Sequence, residues 1–319
     1  AGQQFSFVLY SRNGGGFSIT AETVSATTLP INTTTFTNDQ PYSLIIGQRI
    51  PEGDPNFNDG GISAHSISYA YDVFSLASPS GGEGKFFVCD TYNNRILIYN
   101  STPTSNNQDA DVVVGQPNFT SNGSGSAANQ LSTPSAVYSD GTRLYVADQG
   151  NNRVLIWNTI PTSNNASADI VLGQTGFGAG HTAANNGGRS GSSLSLGGAI
   201  FQNGIATYDL GFAIQLIICD TENDRVLIWN DVSSLYNGAP ASVVVGQTNF
   251  TAHTFPVSNG NTSTASTLHT PVDAAVTSGG KLVIVSMDEN RALIYNSIPS
   301  TNGKAADVVL GQTNFSANV

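Results

Sequence analysis

The 319-residue chain carries little charge, and lysine is the scarcest of its charged residues. Only 10% of the residues are charged, no basic run occurs, and the formal net charge is −11. Lysine occurs only at Lys85, Lys281 and Lys304. An acidic, lysine-poor surface repels the phosphate backbone of nucleic acids, so we exclude nucleic acid as a partner.

The chain also lacks a long apolar run. Its longest, AIQLIIC at 213–219, is far shorter than the roughly 18 residues of a membrane-spanning helix and indicates a buried strand. We therefore expect no membrane span. The chain begins AGQQ, a small-residue start typical of a mature protein after removal of a signal peptide.

Eight Asn-x-Ser/Thr triplets are candidate glycosylation sites. They are Asn32, Asn100, Asn118, Asn122, Asn165, Asn249, Asn261 and Asn314. A chain rich in Ser, Thr and Asn also produces such triplets by chance, so both interpretations stay open. Together with the low charge, they favour an extracellular or cell-surface protein.

A repeated sequence motif, which we call the repeated phrase, occurs four times in the chain. It reads VCDTYNNRILIYN at 88–100, VADQGNNRVLIWN at 146–158, ICDTENDRVLIWN at 218–230 and, less well kept, VSMDENRALIYN at 285–296. After a polar spacer, each copy is followed by an apolar triplet and Gly-Gln. An orphan of this second half, LIIGQ, stands at 44–48. Such repetition predicts an array of like units.

Each unit has the pattern of four short strands. In the unit at 134–174, PSAVYSD, TRLYVAD, RVLIWN and DIVLGQ are separated by turn-forming segments, and their period is two. Four-stranded antiparallel meanders that stack radially form a β-propeller. The motif LYVADQGNNRVLIW at 144–157, after a Pro-led strand, resembles the NHL-repeat family of propellers over about 42–315. We therefore expect an all-β propeller.

The repeated polar residues have a structural interpretation. The Asp at the end of the second strand can accept backbone N–H groups of the turn, and the Arg opening the third strand can bind an acidic partner. These turn and clamp residues are Asp90, Arg95, Asp148, Arg153, Asp220, Arg225 and Arg291. The Asn residues at 93, 151 and 223 are expected in left-handed turn positions, and Gly-Gln is expected to bend the outer strand.

The two cysteines, Cys89 and Cys219, both precede the repeat's Asp. They therefore occupy equivalent positions in two units that are not neighbours. Sheets pack about 10 Å apart, whereas the Cα atoms of a disulfide lie within about 7 Å. We expect two free, buried thiols.

We predict five blades, from four clear NHL-like repeats at 49–319 and a divergent N-terminal β segment at 1–48. Stretches at 5–10, 17–25 and 31–36 have the composition of strands ahead of the orphan outer strand. The alternative keeps four blades and treats the first 40 residues as an extension that donates strands to a neighbour.

Candidates for chemistry are few. The four histidines, His65, His181, His253 and His269, show no metal-ligand spacing, although in a propeller they can converge at the ring mouth. Asp72 and Asp273 occupy the same first-strand position and can face the central channel. Solvated carboxylates are the simpler interpretation; a calcium ion between them is the alternative. We otherwise expect no cofactor.

These features favour a non-catalytic extracellular propeller that acts as an interaction or structural protein. Its partners would be other proteins or further copies of itself, assembled through the N-terminal β segment into a polymer or filament. Two alternatives remain open. One is a propeller hydrolase or lyase with a metal at the ring mouth. The other is a carbohydrate-binding propeller that uses Tyr92, Tyr236 and Phe255 as platforms for glycans.

Overall fold

The computed structural model describes residues 44–47, 57–58, 60–77, 84–197, 202–254 and 263–317. The chain divides into two compact units between Ser43 and Leu44, and everything described below belongs to the second. The strands expected at 5–10, 17–25 and 31–36 lie outside the described residues.

Sixteen described strands form four antiparallel sheets, each a meander of four strands in sequence order. Blade 1 comprises β1 Ala70–Ser75, β2 Phe86–Asp90, β3 Arg95–Tyr99 and β4 Val112–Val114. Blade 2 comprises β5 Pro134–Ser139, β6 Leu144–Asp148, β7 Arg153–Trp157 and β8 Ile170–Leu172. Blade 3 comprises β9 Ile205–Asp209, β10 Ile214–Asp220, β11 Arg225–Trp229 and β12 Val243–Val245. Blade 4 comprises β13 Pro271–Val276, β14 Leu282–Ser286, β15 Arg291–Tyr295 and β16 Val308–Leu310.

The helical elements of the described residues are short 3-10 segments. One connects the second and third strands of every blade, and two more lie in loops. They are Thr91–Asn93, Gln149–Asn151, Ala184–Gly187, Thr221–Asn223, Val232–Ser234 and Met287–Glu289. None of the helices in the described ranges is long and apolar enough to cross a membrane.

The meander predicted for 134–174 is confirmed strand by strand. Its register pairs Asp148 with Arg153 across the β6–β7 turn, as Asp90 and Arg95 pair across the equivalent turn of blade 1. The repeated phrase is therefore one hairpin of each blade.

The blades pack face to face. In the third strand of blade 1, Ile96 and Ile98 face blade 2, while Leu97 and Tyr99 face the other way, against Ile46 and other apolar side chains. The same alternation builds one core between blades 2 and 3 and another between blades 3 and 4. Because inner blades are covered on both faces, their strands are continuously apolar.

The described structure is thus an all-β propeller of four antiparallel blades. The prediction of a fifth blade rests on residues mostly outside the described ranges. The resemblance to NHL repeats likewise stays a prediction.

Glycine bends the outer strand of each blade, as the repeat predicts. Gly47, Gly115, Gly173, Gly246 and Gly311 all have φ between +87° and +93°, a conformation that favours glycine. A Cβ at Gly115 would lie 2.6 Å from Cδ1 of Leu131, which fills the junction with blade 2. At Gly311 only backbone atoms lie that near.

Candidate functional site

The repeated Asp and Arg form a buried clamp within each of the first three blades. In blade 2, Arg153 Nε donates to Asp148 Oδ2 at 2.7 Å, and both side chains are fully buried. Asn151 Nδ2 donates to the same oxygen, and the Ser132 N–H donates to Asp148 Oδ1. The other guanidinium nitrogens donate to carbonyls of the preceding loop. The corresponding ion pairs are Arg95–Asp90 at 2.7 Å and Arg225–Asp220 at 2.6 Å. The carboxylate and the guanidinium thus have all their hydrogen-bond partners within the chain. The clamp therefore stabilises the turn between the second and third strands.

The prediction of left-handed Asn93, Asn151 and Asn223 is wrong by one residue. Each of these closes the 3-10 turn, and its side-chain amide donates to the Asp carboxylate. The next residue is the left-handed one, with φ between 49° and 52° in all four blades. These left-handed residues are Asn94, Asn152, Asp224 and Asn290.

Blade 4 builds its clamp from other residues. Ser286 stands where the other blades have Asp, and Glu289 takes over as the partner of Arg291 at 2.6 Å. The Ser286 hydroxyl donates to the other carboxylate oxygen of Glu289. The signal in the sequence is the acidic residue two positions before the Arg, where the other blades have Asn.

A second set of contacts, which we call the edge clamp, fastens each blade to the one before it. In blade 2, the Val113 N–H of blade 1 donates to Asn164 Oδ1 at 2.9 Å, and the Asn165 N–H donates back to the Val113 carbonyl at 3.0 Å. The edge of the outer strand is thereby satisfied by a loop of the following blade. The other edge clamps join Asn106 to Ile45, Asn237 to Val171 and Asn302 to Val244.

The left-handed residues supply a third contact between blades. Asn94 Oδ1 accepts the Thr133 N–H at 2.7 Å, and Asn152 Oδ1 accepts the Leu196 N–H at 3.1 Å. In blade 3 the corresponding acceptor is an Asp224 carboxylate oxygen. Sequence reasoning missed both kinds of contact, because the spacing of isolated asparagines shows no partner until the blades are stacked.

Blade 4 has one face that no described sheet covers. Val308 and Leu310 of β16 are 43% and 52% exposed. Their counterparts in blade 1, Val112 and Val114, are buried against blade 2. The uncovered face of blade 4 includes the aliphatic residues Ala275, Val283, Val285, Ala292, Ile294, Val308 and Leu310. Asp273, directly opposite Val285, adds one carboxylate to it.

The edge beside this face has spare hydrogen-bonding groups. Val309 corresponds to Val113, yet within the described part of the chain no asparagine reaches its N–H or its carbonyl. Asn290 is exposed, and none of the described residues donates to its side-chain oxygen as Thr133 does to Asn94. Blade 4 thus presents half of an interface between blades, which makes it the candidate functional site.

Asp72 and Asp273 do occupy equivalent positions, opposite Cys89 and Val285 respectively. Asp72 accepts the N–H of Val137 in blade 2 and of its own neighbour. Burial, with a smaller contribution from the charge of Asp273, raises the pKa of Asp72 to about 7. In the described ranges no group of three or more His, Cys, Asp or Glu side chains could hold a metal. Calcium between the two carboxylates stays a prediction.

The four histidines have separate neighbours. His65 lies 2.6 Å from Asp109, and His253 lies 3.0 Å from Asp224. His181 contacts Thr175, and His269 lies 3.8 Å from Asp288. The structure therefore does not bring these side chains into one site. Burial raises the pKa of Asp224 to about 7.

Most of the described glycosylation candidates are exposed. Asn32 and Asn261 lie outside the described residues, and Asn165 is half-buried within an edge clamp. The exposed ones are Asn100, Asn118, Asn122, Asn249 and Asn314. Asn118 and Asn249 each accept hydrogen bonds from the Thr two residues later, so the triplet also forms a turn. Cys89 and Cys219 are free and buried, and burial raises the pKa of both thiols.

Exposed aromatic rings stack near the start of blade 1. The rings of Phe57 and Tyr69 lie 4.2 Å apart, and those of Tyr69 and Tyr92 lie 4.3 Å apart. Tyr236 is exposed elsewhere, and Phe255 lies outside the described residues. Of the two predicted platforms that the structure describes, Tyr92 joins this stack and Tyr236 does not.

No family model and no curated protein matches the chain. Solved structures resemble it distantly. A candidate 6-phosphogluconolactonase from Bacteroides uniformis is 11% identical, with a TM-score of 0.42, over 81% of this chain and 61% of that one. Virginiamycin B lyase from Staphylococcus aureus is 10% identical, with a TM-score of 0.38, over 78% and 57%. The periplasmic gluconolactonase PpgL of Pseudomonas aeruginosa is 13% identical, with a TM-score of 0.38, over 78% and 55%.

This chain therefore spans less than two thirds of the length of those three proteins. At such identities and TM-scores the likeness carries no argument about activity, substrate or metal.

Proposed function

We propose that this chain is a non-catalytic, extracellular or cell-surface β-propeller that acts as a structural and interaction protein. It self-associates into a polymer through its N-terminal β segment at 1–48. The alternative is that this segment supplies a fifth blade of the chain's own ring. The observation that carries the proposal is the uncovered face of blade 4, which has the residue types of an interface and no described partner.

The composition of that face argues for a protein partner. A solvated sheet face normally carries polar residues, whereas here, apart from Asp273, the positions pointing away from blade 3 are Val, Ala, Ile and Leu. Contiguous exposed apolar surface in a soluble protein marks an interaction site. Open strand edges likewise recruit a further strand or blade.

The matching surface lies at the other end of the chain. Ile45 is held by Asn106 as Val113 is held by Asn164, and Gly47 has the bend of the other outer strands. Residues 44–47 thus occupy the place of an outer strand that precedes blade 1. The 48 residues ending there have the length of one blade, about 40–45 residues.

The extracellular location is supported by the surface. The chain is acidic and poor in lysine, and five glycosylation candidates are exposed. We test location and modification by expressing the chain through a secretory pathway and measuring its mass before and after glycosidase treatment.

Negative-stain microscopy of the purified chain tests the proposed assembly. We expect filaments or extended chains of particles. Particles that stay single at every concentration, together with no protein partner, would contradict the proposal.

A carbohydrate-binding propeller is a second candidate, favoured by the exposed stack of Phe57, Tyr69 and Tyr92. Aromatic faces can serve as sugar platforms. A glycan array run with the wild type and Tyr92→Ala tests it, since binding through the stack would weaken in the variant.

The remaining alternative is a propeller hydrolase or lyase with a metal at the ring mouth. Stoichiometric zinc or calcium in the purified protein, found by elemental analysis, would favour it over our proposal.

A further inference from the structure

One position of the repeat carries a glycosylation candidate in three of the four described blades. Asn118, Asn249 and Asn314 each lie two residues after the Gln that follows an outer strand, and each opens an Asn-Phe-Thr or Asn-Phe-Ser triplet. In blade 2 the same position is Gly176, and the triplet reads Gly-Phe-Gly. Blade 2 nevertheless forms its four strands and its buried clamp. The fold therefore does not by itself require an Asn-x-Thr triplet at this position.

The asparagines of these triplets bind their neighbours through the side-chain oxygen. Asn118 and Asn249 each accept, through Oδ1, the N–H and the hydroxyl of the Thr two residues later, at 3.0 and 2.9 Å. Asn314 Oδ1 accepts the N–H of the Ser two residues later at 2.9 Å. All three asparagines are exposed, and no residue of the described ranges accepts a hydrogen bond from their Nδ2 atoms. Nδ2, the atom that bears an N-linked sugar, is thus available.

The backbone of each triplet is fixed by the buried clamp. The carbonyl of its central Phe accepts a hydrogen bond from Nη1 of the clamp Arg, at 2.6 Å in blade 1 and 2.7 Å in blade 4, and blade 3 has the same bond. These contacts use the backbone and the asparagine oxygen. A sugar on Nδ2 would therefore leave every one of them in place.

Asn165 also opens a triplet, but its surroundings differ. Its N–H donates to the Val113 carbonyl at 3.0 Å within an edge clamp, and its Oδ1 accepts Asn129 Nδ2 at 3.0 Å. The residue is half-buried and left-handed, with φ of 63°. A glycan is bulky and needs solvent around it. At Asn165 it would crowd the contact that joins blades 1 and 2.

We propose that Asn118, Asn249 and Asn314 carry N-linked glycans when the chain is secreted, and that Asn165 carries none. This inference rests on the extracellular location in the proposed function and names the residues that are modified there. The co-substrate is an oligosaccharide activated as a lipid-linked pyrophosphate, which a secretory pathway supplies. The bond between its anomeric carbon and the pyrophosphate oxygen breaks, and the pyrophosphate leaves with the electron pair. A bond forms from the anomeric carbon to Nδ2, which loses one proton.

The three glycans are compatible with a partner on the uncovered face of blade 4. Asn118 stays exposed although blade 2 packs against blade 1, and Asn249 stays exposed although blade 4 packs against blade 3. Asn314 holds the same position beside the uncovered face. A partner seated there as blade 2 is seated on blade 1 would leave Asn314 in solvent. Modification therefore need not obstruct self-association.

The first test expresses the full chain behind a secretion signal in a eukaryotic cell and maps the modified residues. An amidase that releases N-linked glycans converts each occupied Asn to Asp, which mass spectrometry of the peptides detects. We expect conversion at the three equivalent asparagines and none at Asn165. Thr251→Val and Thr251→Ser form a matched pair, because only the serine keeps the triplet. The first should abolish the glycan at Asn249, and the second should keep it.

The second test compares the assembly of the glycosylated chain with that of Asn314→Gln, which lacks the glycan nearest the uncovered face. Light scattering over a range of concentrations should give half-assembly concentrations that agree within about twofold.

Three results would overturn the inference. Occupancy at Asn165, or bare Asn118, Asn249 and Asn314 beside other occupied triplets, would show that the position in the fold does not select the modified residues. Assembly of Asn314→Gln at much lower concentrations would show that its glycan obstructs blade 4. In both cases the proposed function stands. A secreted chain without any glycan would also remove one support for the extracellular location, whereas self-association is decided separately by the light scattering.

Discussion

Blades 1 and 4 are built to one plan but have different surroundings. Val114 of blade 1 is buried against blade 2, whereas Leu310, at the same position of blade 4, is about half exposed. The sequence keeps an apolar residue at both positions although only one is covered by a described element. This difference teaches that an interface can be recognised by what its equivalents bury within the same chain.

The largest expected effect comes from charging these two positions. Val114→Asp should cost about 5 kcal/mol or more in the free energy of unfolding, because it buries an unpaired carboxylate between blades 1 and 2. Leu310→Asp should change the stability of the monomer by less than about 0.5 kcal/mol, because its side chain faces solvent there. Urea denaturation of dilute protein measures both, and equal losses would contradict the comparison.

The buried clamp comes next. Arg153→Ala leaves the Asp148 carboxylate buried without its cation and should cost about 3–5 kcal/mol. Arg291→Ala in blade 4 should cost less, because the buried Nε of Arg291 has no hydrogen-bond partner among the described residues, whereas Nε of Arg153 donates to Asp148. Chemical denaturation compares the two, and a greater loss for Arg291→Ala would show that blade 4 depends on its clamp as the inner blades do.

Replacing the glycine at the bend of the outer strand should distinguish blades 1 and 4 by a smaller difference in the free energy of unfolding. An alanine at Gly115 adds strain in the left-handed conformation and a clash with Leu131, about 2–4 kcal/mol in all. An alanine at Gly311 meets no such side chain, although its Cβ would lie 2.8 Å from the Asn290 carbonyl oxygen, as one at Gly115 would lie 2.9 Å from that of Asn94. The change at Gly311 should therefore cost less by the clash with Leu131, about 1–3 kcal/mol. Thermal unfolding measures the difference, which should vanish only if a residue fills the junction beside Gly311.

The smallest expected effect concerns the left-handed residue of blade 3. The pKa of Asp224 is raised to about 7 by burial, well above its value in the unfolded chain. The folded form therefore holds a proton that the unfolded form releases, and stability falls as the pH rises from about 4 to 7.

Asp224→Asn restores the residue type found in the other blades and removes this loss. Its advantage over the wild type should widen between about pH 4 and 7 and reach on the order of 1–3 kcal/mol. Melting temperatures across the pH range measure it. An advantage that is the same at all pH values would show that the carboxyl does not titrate in this window.

Much of the fold follows from the sequence because it repeats. The strands of blade 2, the buried Asp148–Arg153 pair and the bend at Gly115 all recur at fixed spacing, and each needs only its own blade. The left-handed residue lies one position after the predicted one, because the predicted Asn donates its side-chain amide to the neighbouring Asp carboxylate. In blade 4 the sequence shows Ser286 where the other blades have Asp, so it did not predict that Glu289, three residues later, would bind Arg291 instead.

The candidate site could not be predicted in the same way. Its defining contacts join residues of neighbouring blades, such as Asn164 to Val113, 51 residues apart. Spacing within one repeat carries no sign of such a partner.

The central claim is that the chain self-associates and that the uncovered face of blade 4 takes part. Light scattering of the full chain over a wide range of concentrations tests it most directly, with Leu310→Asp as the comparison. We predict a mass that rises with concentration for the wild type and stays near that of one chain, 33.2 kDa, for the variant. A wild-type mass fixed at one chain over the whole range would contradict the account.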